Sequence, residues 1–400
     1  MAATLTPQLR GWRNATFLVF AVAGAGFATW ASRIPAARDE LELGTAEVAL
    51  LLVGISIGSV AGLVLAPVLI RHTSGRRGLV GCTAGFCVGL VVAGLGAQAG
   101  SVPLTFAGLV VFGVCFSATD LLMNVEGAMA EKALGRTVLP LMHAFFSVGT
   151  VIGALCGAAA VRADLGLGWH FAVVAALLSA VTFVSAPRLP DEVRSSVPDP
   201  PPAASAPVRR ALRVPDRLRD VRLLVIGVMV TGMALTEGAA NDWIALAAVD
   251  GHGAGQTEGA LVFGAFVLGM TLARGVGGPL LDRHGRVPVL VATALCGLVG
   301  IILFVLAPGW SALVYAAAVL WGIGASMGFP IGMSAAAEHP TDGPRRVSVI
   351  GVFGYGAFLL GPPVIGFLAE RVGLLHAFYL VLALLVVSLA AAPSVRSTRS

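Results

Sequence analysis

The sequence contains little charge. Only 12% of its 400 residues are Asp, Glu, Lys or Arg, and a single lysine, Lys132, accompanies 25 arginines. Soluble domains carry charge on about a quarter of their residues, so this composition excludes an ordinary soluble globular protein. The hydrophobic content of 57% and the mean hydropathy of +0.90 instead indicate a chain that folds in a lipid bilayer.

Cysteine is also scarce, and the common patterns of enzyme sites are missing. The five cysteines lie in apolar segments, and no two of them form a C-x-x-C pair. This spacing excludes the usual disulfide and zinc frameworks, so no metal site is expected. The sequence has no nucleotide-binding glycine loop, no nucleophile triad and no soluble domain to hold one. A membrane enzyme or receptor is therefore the least supported function class, and no cofactor is expected.

Long apolar segments fill most of the chain. A helix of about 20 apolar residues, rising about 1.5 Å per residue, is long enough to cross the hydrocarbon core of a bilayer. The approximate ranges of these segments are 15–37, 47–70, 78–98, 103–127, 138–161, 169–187, 221–247, 258–281, 287–307, 311–335, 347–369 and 374–392. The sequence therefore predicts an all-α membrane protein with twelve transmembrane helices, called span 1 to span 12 below.

The positively charged residues predict the side of the membrane that each loop faces, because cytoplasmic loops carry the excess of Lys and Arg. With a cytoplasmic N-terminus, 21 of the 26 Lys and Arg residues fall on the cytoplasmic side and four on the outer side. Both termini are therefore predicted to be cytoplasmic. The net charge of +5 follows from this distribution and from anionic lipid at the inner leaflet. It gives no reason to expect a nucleic-acid partner.

Residues 188–220 interrupt the apolar pattern with a segment rich in Pro, Ser, Ala and Arg. Such a composition is typical of an extended linker, here predicted to lie in the cytoplasm. It divides the chain into an N-terminal six-helix bundle, residues 1–187, and a C-terminal six-helix bundle, residues 221–400.

The two halves resemble each other in span 2 and span 8 and in the loops that follow them. The matched residues are Glu47, Gly58, Pro67 and Arg76 in one half and Glu258, Gly269, Pro279 and Arg286 in the other. A duplicated six-helix unit is expected to place a substrate site between its halves, near the bilayer midplane, and to give alternating access by rocking.

The loop after span 8 reads GPLLDRHGR and resembles the signature G-x-x-x-D-R-x-G-R of the major facilitator superfamily. The five fixed positions are Gly278, Asp282, Arg283, Gly285 and Arg286. The resemblance implies the superfamily fold of two pseudo-symmetric six-helix bundles and a role in transport. It also implies that the Asp and the basic residues hold helices together on the cytoplasmic side. The copy after span 2 has Ile70 where the Asp belongs.

Span 4 carries three polar residues in the stretch TDLLMNVEG, residues 119–127. Asp120 and Asn124 are four residues apart and share one helix face, whereas Glu126 is predicted to lie nearer the inner surface as an interface residue. The spacing Asp-x-x-x-Asn is similar to a Glu-x-x-x-Asn of bacterial fucose permeases. That resemblance implies that Asp120 takes part in sugar and proton handling, with Asn124 as its hydrogen-bonding partner. Span 1 lacks the proton-linked Asp of those permeases.

His143 lies near the start of span 5, at a depth similar to that of Asp120. We therefore hypothesise that Asp120 and His143 form a hydrogen-bonded pair that takes up a proton. The alternative is a packing histidine bonded to a backbone carbonyl, and both interpretations stay open at this point.

Charged residues also occur in the outer halves of span 1 and span 7. Glu237 and Asn241 share one face of span 7 and are predicted to line the substrate and proton pathway. Spans 1 and 7 correspond in the repeat and face each other in the superfamily, so Arg33 is predicted to pair with Glu237 or Asp242 as an outer gate. Arg274 in span 8 is predicted to brace the cytoplasmic end of the second half, with binding of an anionic substrate as the alternative.

These features predict a monomeric secondary transporter of the bacterial cytoplasmic membrane, similar to fucose permeases and related inner-membrane members of the superfamily. The expected substrate is a small polar solute, with a sugar as the first candidate, and protons are the expected coupling ion. The alternative is a drug or metabolite exporter of the same fold, with a wide apolar cavity. Residues that could line that cavity are Met123, Met142, Phe145 and Phe146. Trp30 and Trp243 are predicted to lie at the outer membrane interface or to stack on a substrate ring.

Overall fold

The computed structural model describes residues 6–135, 138–191, 220–307, 309, 312–338 and 342–396. Within these ranges nearly every residue is helical. The helices of the first half are α1 (Pro7–Ala31), α2 (Ile34–Glu40), α3 (Thr45–His72), α4 (Gly75–Gln98), α5 (Val102–Leu134), α6 (Leu139–Arg162) and α7 (Leu167–Ser185). Those of the second half are α8 (Val221–His252), α9 (Gln256–His284), α10 (Arg286–Leu306), α11 (Ala312–Ala325), α12 (Gly328–Ala337), α13 (Gly343–Val372) and α14 (Leu374–Ala391).

Twelve helical segments in the described residues are long and apolar enough to cross a membrane. α2 is too short to be one of them, and α11 and α12 together form span 10. The prediction of an all-α membrane protein with twelve transmembrane helices is confirmed. The side of the membrane on which the termini lie stays a prediction.

The chain folds as two compact units. Among the described residues, one unit contains those from 6 to 43 and from 51 to 191, and the other contains those from 44 to 50 and from 220 to 396. Most of the predicted linker, residues 192–219, lies outside the described residues. Its assignment as a cytoplasmic linker therefore stays a prediction.

Close approach between α1 and α6 holds the first unit together. A Cβ added at Gly149 would lie 2.0 Å from the carbonyl oxygen of Ala21, and one added at Gly153 would lie 2.6 Å from that of Ala25. Small residues spaced four apart let the two backbones touch, which is how helices associate where lipid gives no hydrophobic driving force. Toward the start of α1, this seam continues into a buried cluster that contains Phe20 and Met142.

Span 10 is broken, although the sequence predicts one continuous helix over residues 311–335. The structure places Ser326 and Met327 between α11 and α12. Pro330 explains the break, because proline has no backbone N–H and cannot donate to the carbonyl oxygen four residues earlier, which is that of Ser326. The carbonyl group of Ser326 is therefore left to bond elsewhere.

The second unit packs tightly around span 10. Trp321 is fully buried, and its indole N–H donates to the backbone oxygen of Thr236 in α8 at 2.9 Å. A Cβ added at Gly322 would lie 1.9 Å from the carbonyl oxygen of Phe266 in α9. These contacts fix α11 against the middle of both α8 and α9, the two helices that carry the site described next.

Two tryptophans occupy positions that the sequence did not predict. Trp30 is 2% exposed and packs near Phe171, and Trp243 is fully buried with Gly366 nearby. Both indole rings are buried in protein. The predicted placement at the outer membrane interface is therefore wrong, whereas stacking on a substrate ring stays a prediction.

Candidate functional site: charged groups within the two halves

An ion pair joins α8 and α9 in the second half. The Nη2 atom of Arg274 donates to both carboxylate oxygens of Glu237, at 3.2 and 3.1 Å. The side chain of Glu237 is 15% exposed and that of Arg274 is 33% exposed. Both residues lie within apolar spans, where an unpaired charge costs several kcal/mol. The ion pair therefore lowers the free-energy cost of keeping both charges within the spans.

The same guanidinium also bonds to the break in span 10. Nε of Arg274 donates to the backbone oxygen of Ser326 at 3.2 Å, the carbonyl that Pro330 leaves without its helical partner. Arg274 thus connects a carboxylate on α8 to the interrupted backbone between α11 and α12. Broken helices of this kind mark ion and substrate sites in secondary transporters.

This position of Arg274 differs from the prediction. The sequence interpretation made it a brace for the cytoplasmic end of the second half, but its side chain pairs with Glu237 near the middle of α8. Asn241 and Asp242 follow on the same helix and are half-buried. Glu237 and Asn241 are four residues apart on a continuous helix, so they share a face as predicted.

In the first half, Asp120 and Asn124 are linked along α5. The side-chain nitrogen of Asn124 donates to the backbone oxygen of Asp120 at 2.8 Å and approaches its Oδ1 at 3.5 Å. Both side chains are half-buried. One turn earlier on the same helix, the hydroxyl of Ser117 donates to the backbone oxygen of Ser59 in α3 at 2.8 Å. Asn124 thus serves as a hydrogen-bonding neighbour of Asp120, mainly through the main chain.

His143 is exposed on the surface of the first unit near the start of α6. Its ring contacts Phe20 of α1 edge-on, with ring centroids 5.1 Å apart. The proposed proton-taking pair of Asp120 and His143 stays a prediction.

Glu126 is not the interface residue that the sequence suggested. It is fully buried, and its Oε1 accepts a hydrogen bond from the indole N–H of Trp12 at 2.7 Å. The interface interpretation rested on depth along the helix, and it failed because the start of α1 packs over this turn of α5. Glu126 is the buried carboxylate of span 4, whereas Asp120 is half-buried.

Arg33 follows the end of α1 and is 5% exposed. Its Nη2 donates to the backbone oxygen of Leu165 at 3.1 Å. Burial lowers the pKa of the Arg33 guanidinium below its ordinary value, an effect partly opposed by the charge of Glu40. The predicted gate pairing of Arg33 with Glu237 or Asp242 stays a prediction.

The signature after span 8 forms the turn between α9 and α10. Gly285 separates the two helices with φ of +78°, a conformation that favours glycine. Arg286 pairs with Glu338 at 2.8 Å and donates to Ser334 Oγ at 2.8 Å, both at the end of α12. Gly278, Asp282 and Arg283 lie on the surface of the unit. Within the second unit, the basic end of the signature therefore holds α10 to α12.

The loop after span 2, which matches the signature loop after span 8, also contains an ion pair, but with an acid from another part of the chain. Arg76 corresponds to Arg286 in the repeat, and it pairs with Asp191 at 2.8 Å. The Ser74 hydroxyl, which donates to Asp191 at 2.6 Å, and the guanidinium groups of Arg76 and Arg77 hold the pKa of Asp191 below its usual value. These contacts hold Asp191, which directly precedes residues 192–219, to the start of α4.

Two of the four residues named for an exporter cavity are core residues. Met123 and Met142 are 1% and 0% exposed and lie in the buried cluster of the first unit. Phe145 is 38% exposed and contacts Phe17, with ring centroids 4.8 Å apart. The described residues contain no group of three or more His, Cys, Asp or Glu side chains that could hold a metal ion.

Comparison with known proteins agrees with this architecture. The family model described as Major Facilitator Superfamily matches residues 238–399. An uncharacterized MFS-type transporter of Yersinia pestis is 31% identical over 383 residues, which cover 95% of this chain and 94% of the relative.

Solved structures show the same fold. A mutant of the nucleoside transporter NupG superposes with a TM-score of 0.77 at 15% identity, covering 97% of this chain and 99% of that one. A variant of the Escherichia coli fucose:proton symporter FucP gives a TM-score of 0.63 at 15% identity, covering 96% and 98%. With its twelve spans, its signature loop and a full-length relative above 30% identity, the chain belongs to the major facilitator superfamily of membrane transporters.

Proposed function

We propose that this transporter moves a small polar solute, with a sugar as the first candidate, across the bacterial cytoplasmic membrane by alternating access coupled to protons. The observation that carries the proposal is the Glu237–Arg274 pair beside the carbonyl of Ser326. A transporter needs polar groups inside its spans for a solute to bind. This cluster supplies a carboxylate, a guanidinium and a backbone acceptor within one half.

The charge balance of the cluster favours a neutral solute. Glu237 and Arg274 carry opposite charges and neutralise each other, so an anionic solute would have to displace the carboxylate from the guanidinium. A hydroxyl group, in contrast, can donate to a carboxylate and accept from a guanidinium without breaking the pair. Because Arg274 stays one-third exposed, its remaining N–H groups are accessible to such a ligand.

Proton coupling is assigned to the carboxylates. Protonation of Glu237 would cancel its charge and release Arg274, so occupancy by a proton and by a solute would be linked at one place. The proposed polar lining of the pathway in the first half consists of Asp120, Asn124 and His143. In the second half, Asn241 has the same proposed role. Two of the proteins with similar structures are a fucose:proton symporter and a nucleoside transporter, and this similarity supports a polar hydroxylated solute.

The orientation of the protein in the membrane is part of this proposal. Both termini lie in the cytoplasm, the protein acts as a monomer, and the turn at Gly285 lies on the cytoplasmic side. The excess of arginine in the loops assigned to the cytoplasm supports this orientation. The bacterial source of the relative supports the choice of membrane.

The test is uptake into proteoliposomes that contain the purified protein, screened over radiolabelled monosaccharides, polyols and nucleosides. Each solute is measured with and without an inwardly directed proton gradient. We expect at least one neutral hydroxylated solute to accumulate above its external concentration only when the gradient is present. Accumulation of apolar cationic drugs instead, with no uptake of any hydroxylated solute, would replace the proposal with the exporter alternative.

A further inference from the structure

Three buried side chains of the first half, those of Arg33, Trp30 and His170, carry nitrogen atoms that form no hydrogen bond within the described residues. Within the described residues of the first unit, Nε and Nη1 of Arg33, Nε1 of Trp30 and both ring nitrogens of His170 have no hydrogen-bond partner. Arg33, His170 and Trp30 are 5%, 3% and 2% exposed. A buried donor without a partner costs about 1 to 3 kcal/mol, and more when it is charged.

The three side chains belong to one neighbourhood. The ring of His170 lies within electrostatic range of the Arg33 guanidinium, and Phe171 contacts both His170 and Trp30. The backbone of α6 closes the other side, because a Cβ added at Gly157 would lie 2.1 Å from Ser32 Oγ and 3.9 Å from Cγ of Arg33. Helices α1, α6 and α7 therefore all contribute to the enclosure.

Donors predominate in this neighbourhood. The guanidinium and the indole can only donate hydrogen bonds, whereas a neutral imidazole has one donor and one acceptor. The acceptor that Arg33 has is a single neutral carbonyl, that of Leu165, and the acid that acts on it electrostatically, Glu40, is exposed to the surface. A buried cation with several free donors and no adjacent carboxylate among the described residues of its unit is complementary to an anion.

We propose that Arg33, Trp30 and His170 form a binding site for a small monovalent anion, of the size of chloride or of a carboxylate group. The anion neutralises the buried guanidinium and accepts from the indole and from the Arg33 nitrogens that the protein leaves unpaired. The site differs from the Glu237–Arg274 pair, which lies in the other half and is already neutral. It therefore does not depend on the identity of the transported solute.

The test measures thermal unfolding of the purified full-length protein in detergent, while sodium chloride or sodium formate replaces the sodium salt of a bulky monovalent sulfonate at constant ionic strength. We expect Tm to rise saturably, by about 2 to 4 °C, as a ligand that binds only the folded state should cause. A response to both anions assigns the site to small monovalent anions, and a response to formate alone assigns it to carboxylates. No saturable response to either anion would overturn the proposal.

Variants locate the effect. Arg33→Gln should abolish the saturable response, whereas Arg162→Gln, an exposed arginine at the end of α6, should keep it. If Arg33→Gln does not fold, Trp30→Phe decides, because loss of one hydrogen bond to a charged ligand weakens binding about tenfold. Unchanged anion affinity in Trp30→Phe would contradict the proposal.

The outer-gate prediction names a different partner for Arg33. In that prediction, a carboxylate of the second half takes the place of the free anion. Asp242→Asn distinguishes this source from a free anion. If the wild-type protein shows no anion response and Asp242→Asn acquires one, Asp242 occupies the donors and the free-anion site is wrong. Because the experiment reads binding in detergent, its outcome is independent of whether the protein transports a sugar.

Discussion

Glu237 and Arg274 form an ion pair between two neighbouring transmembrane helices, with one guanidinium nitrogen shared by both carboxylate oxygens. Arg274 also holds the carbonyl of Ser326, which lacks its helical partner because Pro330 interrupts span 10. A charge, its counter-charge and a helix break are thus joined by one side chain. Loss of either charge leaves the other one unpaired, and loss of Arg274 also removes the hydrogen bond to the break.

Removing one member of this pair should destabilise the protein. Glu237→Gln leaves the guanidinium without its counter-charge, and we expect a loss of about 1 to 3 kcal/mol, limited by the partial exposure of Arg274. The double variant Glu237→Gln/Arg274→Gln should recover at least half of that loss. Unfolding in a denaturing detergent measures both, with Asp164→Asn in the exposed turn after α6 as the control. Additive losses in the double variant would show that the two side chains do not interact.

The packing of α11 against α9 predicts a contrast between two glycines. Gly322→Ala would place a methyl group 1.9 Å from the carbonyl oxygen of Phe266, so we expect a loss of about 1 to 3 kcal/mol from overpacking. Gly275→Ala has no atom within 4 Å of the added methyl and should be neutral or should stabilise α9 by about 1 kcal/mol. Thermal unfolding of the two variants checks this, and equal stability would mean that α9 and α11 are not in contact at Gly322.

The hydrogen bond from Trp12 to Glu126 ties the start of α1 to α5. A double-mutant cycle with Trp12→Phe and Glu126→Met should give a coupling energy of about 1 kcal/mol or more, because Met removes the oxygen that accepts the indole N–H. The substitutions keep an apolar ring and a side chain of similar length in place, so packing changes little. A coupling energy near zero would indicate that the carboxylate interacts with other groups and that the indole contributes no stability through it.

Asp191 predicts an acid-sensitive contact. Its pKa is held below the usual 3.8, first by the Ser74 hydroxyl and then by Arg76 and Arg77. Because the folded-state pKa is the lower one, the contribution to stability is present above about pH 4 and is lost as pH falls through the folded pKa. We expect Asp191→Asn to lower Tm slightly at pH 7 and to converge with the wild-type protein as the pH falls through the folded-state pKa of Asp191. Asp164→Asn, in an exposed turn, is the control, and a difference that grows toward acid pH would have the wrong sign.

The fold could be predicted from the sequence because the hydrophobicity and the length of the apolar segments both indicate membrane-spanning helices. Twelve apolar segments long enough to span a bilayer have few other ways to fold, and the GPLLDRHGR loop indicated the superfamily. The break in span 10 could also have been expected. Pro330 follows Gly324 and Gly328, and interruptions of this kind often mark binding sites in transporters.

The partners of the charged residues were harder to predict. Glu237 lies 15 residues before the end of α8 and Arg274 lies 18 residues after the start of α9, so their similar depth was a usable signal. Glu126 gave no such signal, because its burial depends on where the N-terminal turn of α1 packs. Helical periodicity predicts which residues share a face, but it does not predict which neighbouring helix covers that face.

The most direct measurement compares two kinds of transport by the Glu237→Gln variant in proteoliposomes, using the solute that the wild-type protein accumulates. We expect uphill uptake driven by a proton gradient to fall at least tenfold, because Gln cannot carry a proton, while exchange of internal for external solute continues. Uphill uptake at the wild-type rate would contradict a role for Glu237 in coupling, and with it the proposed proton-driven mechanism at this site.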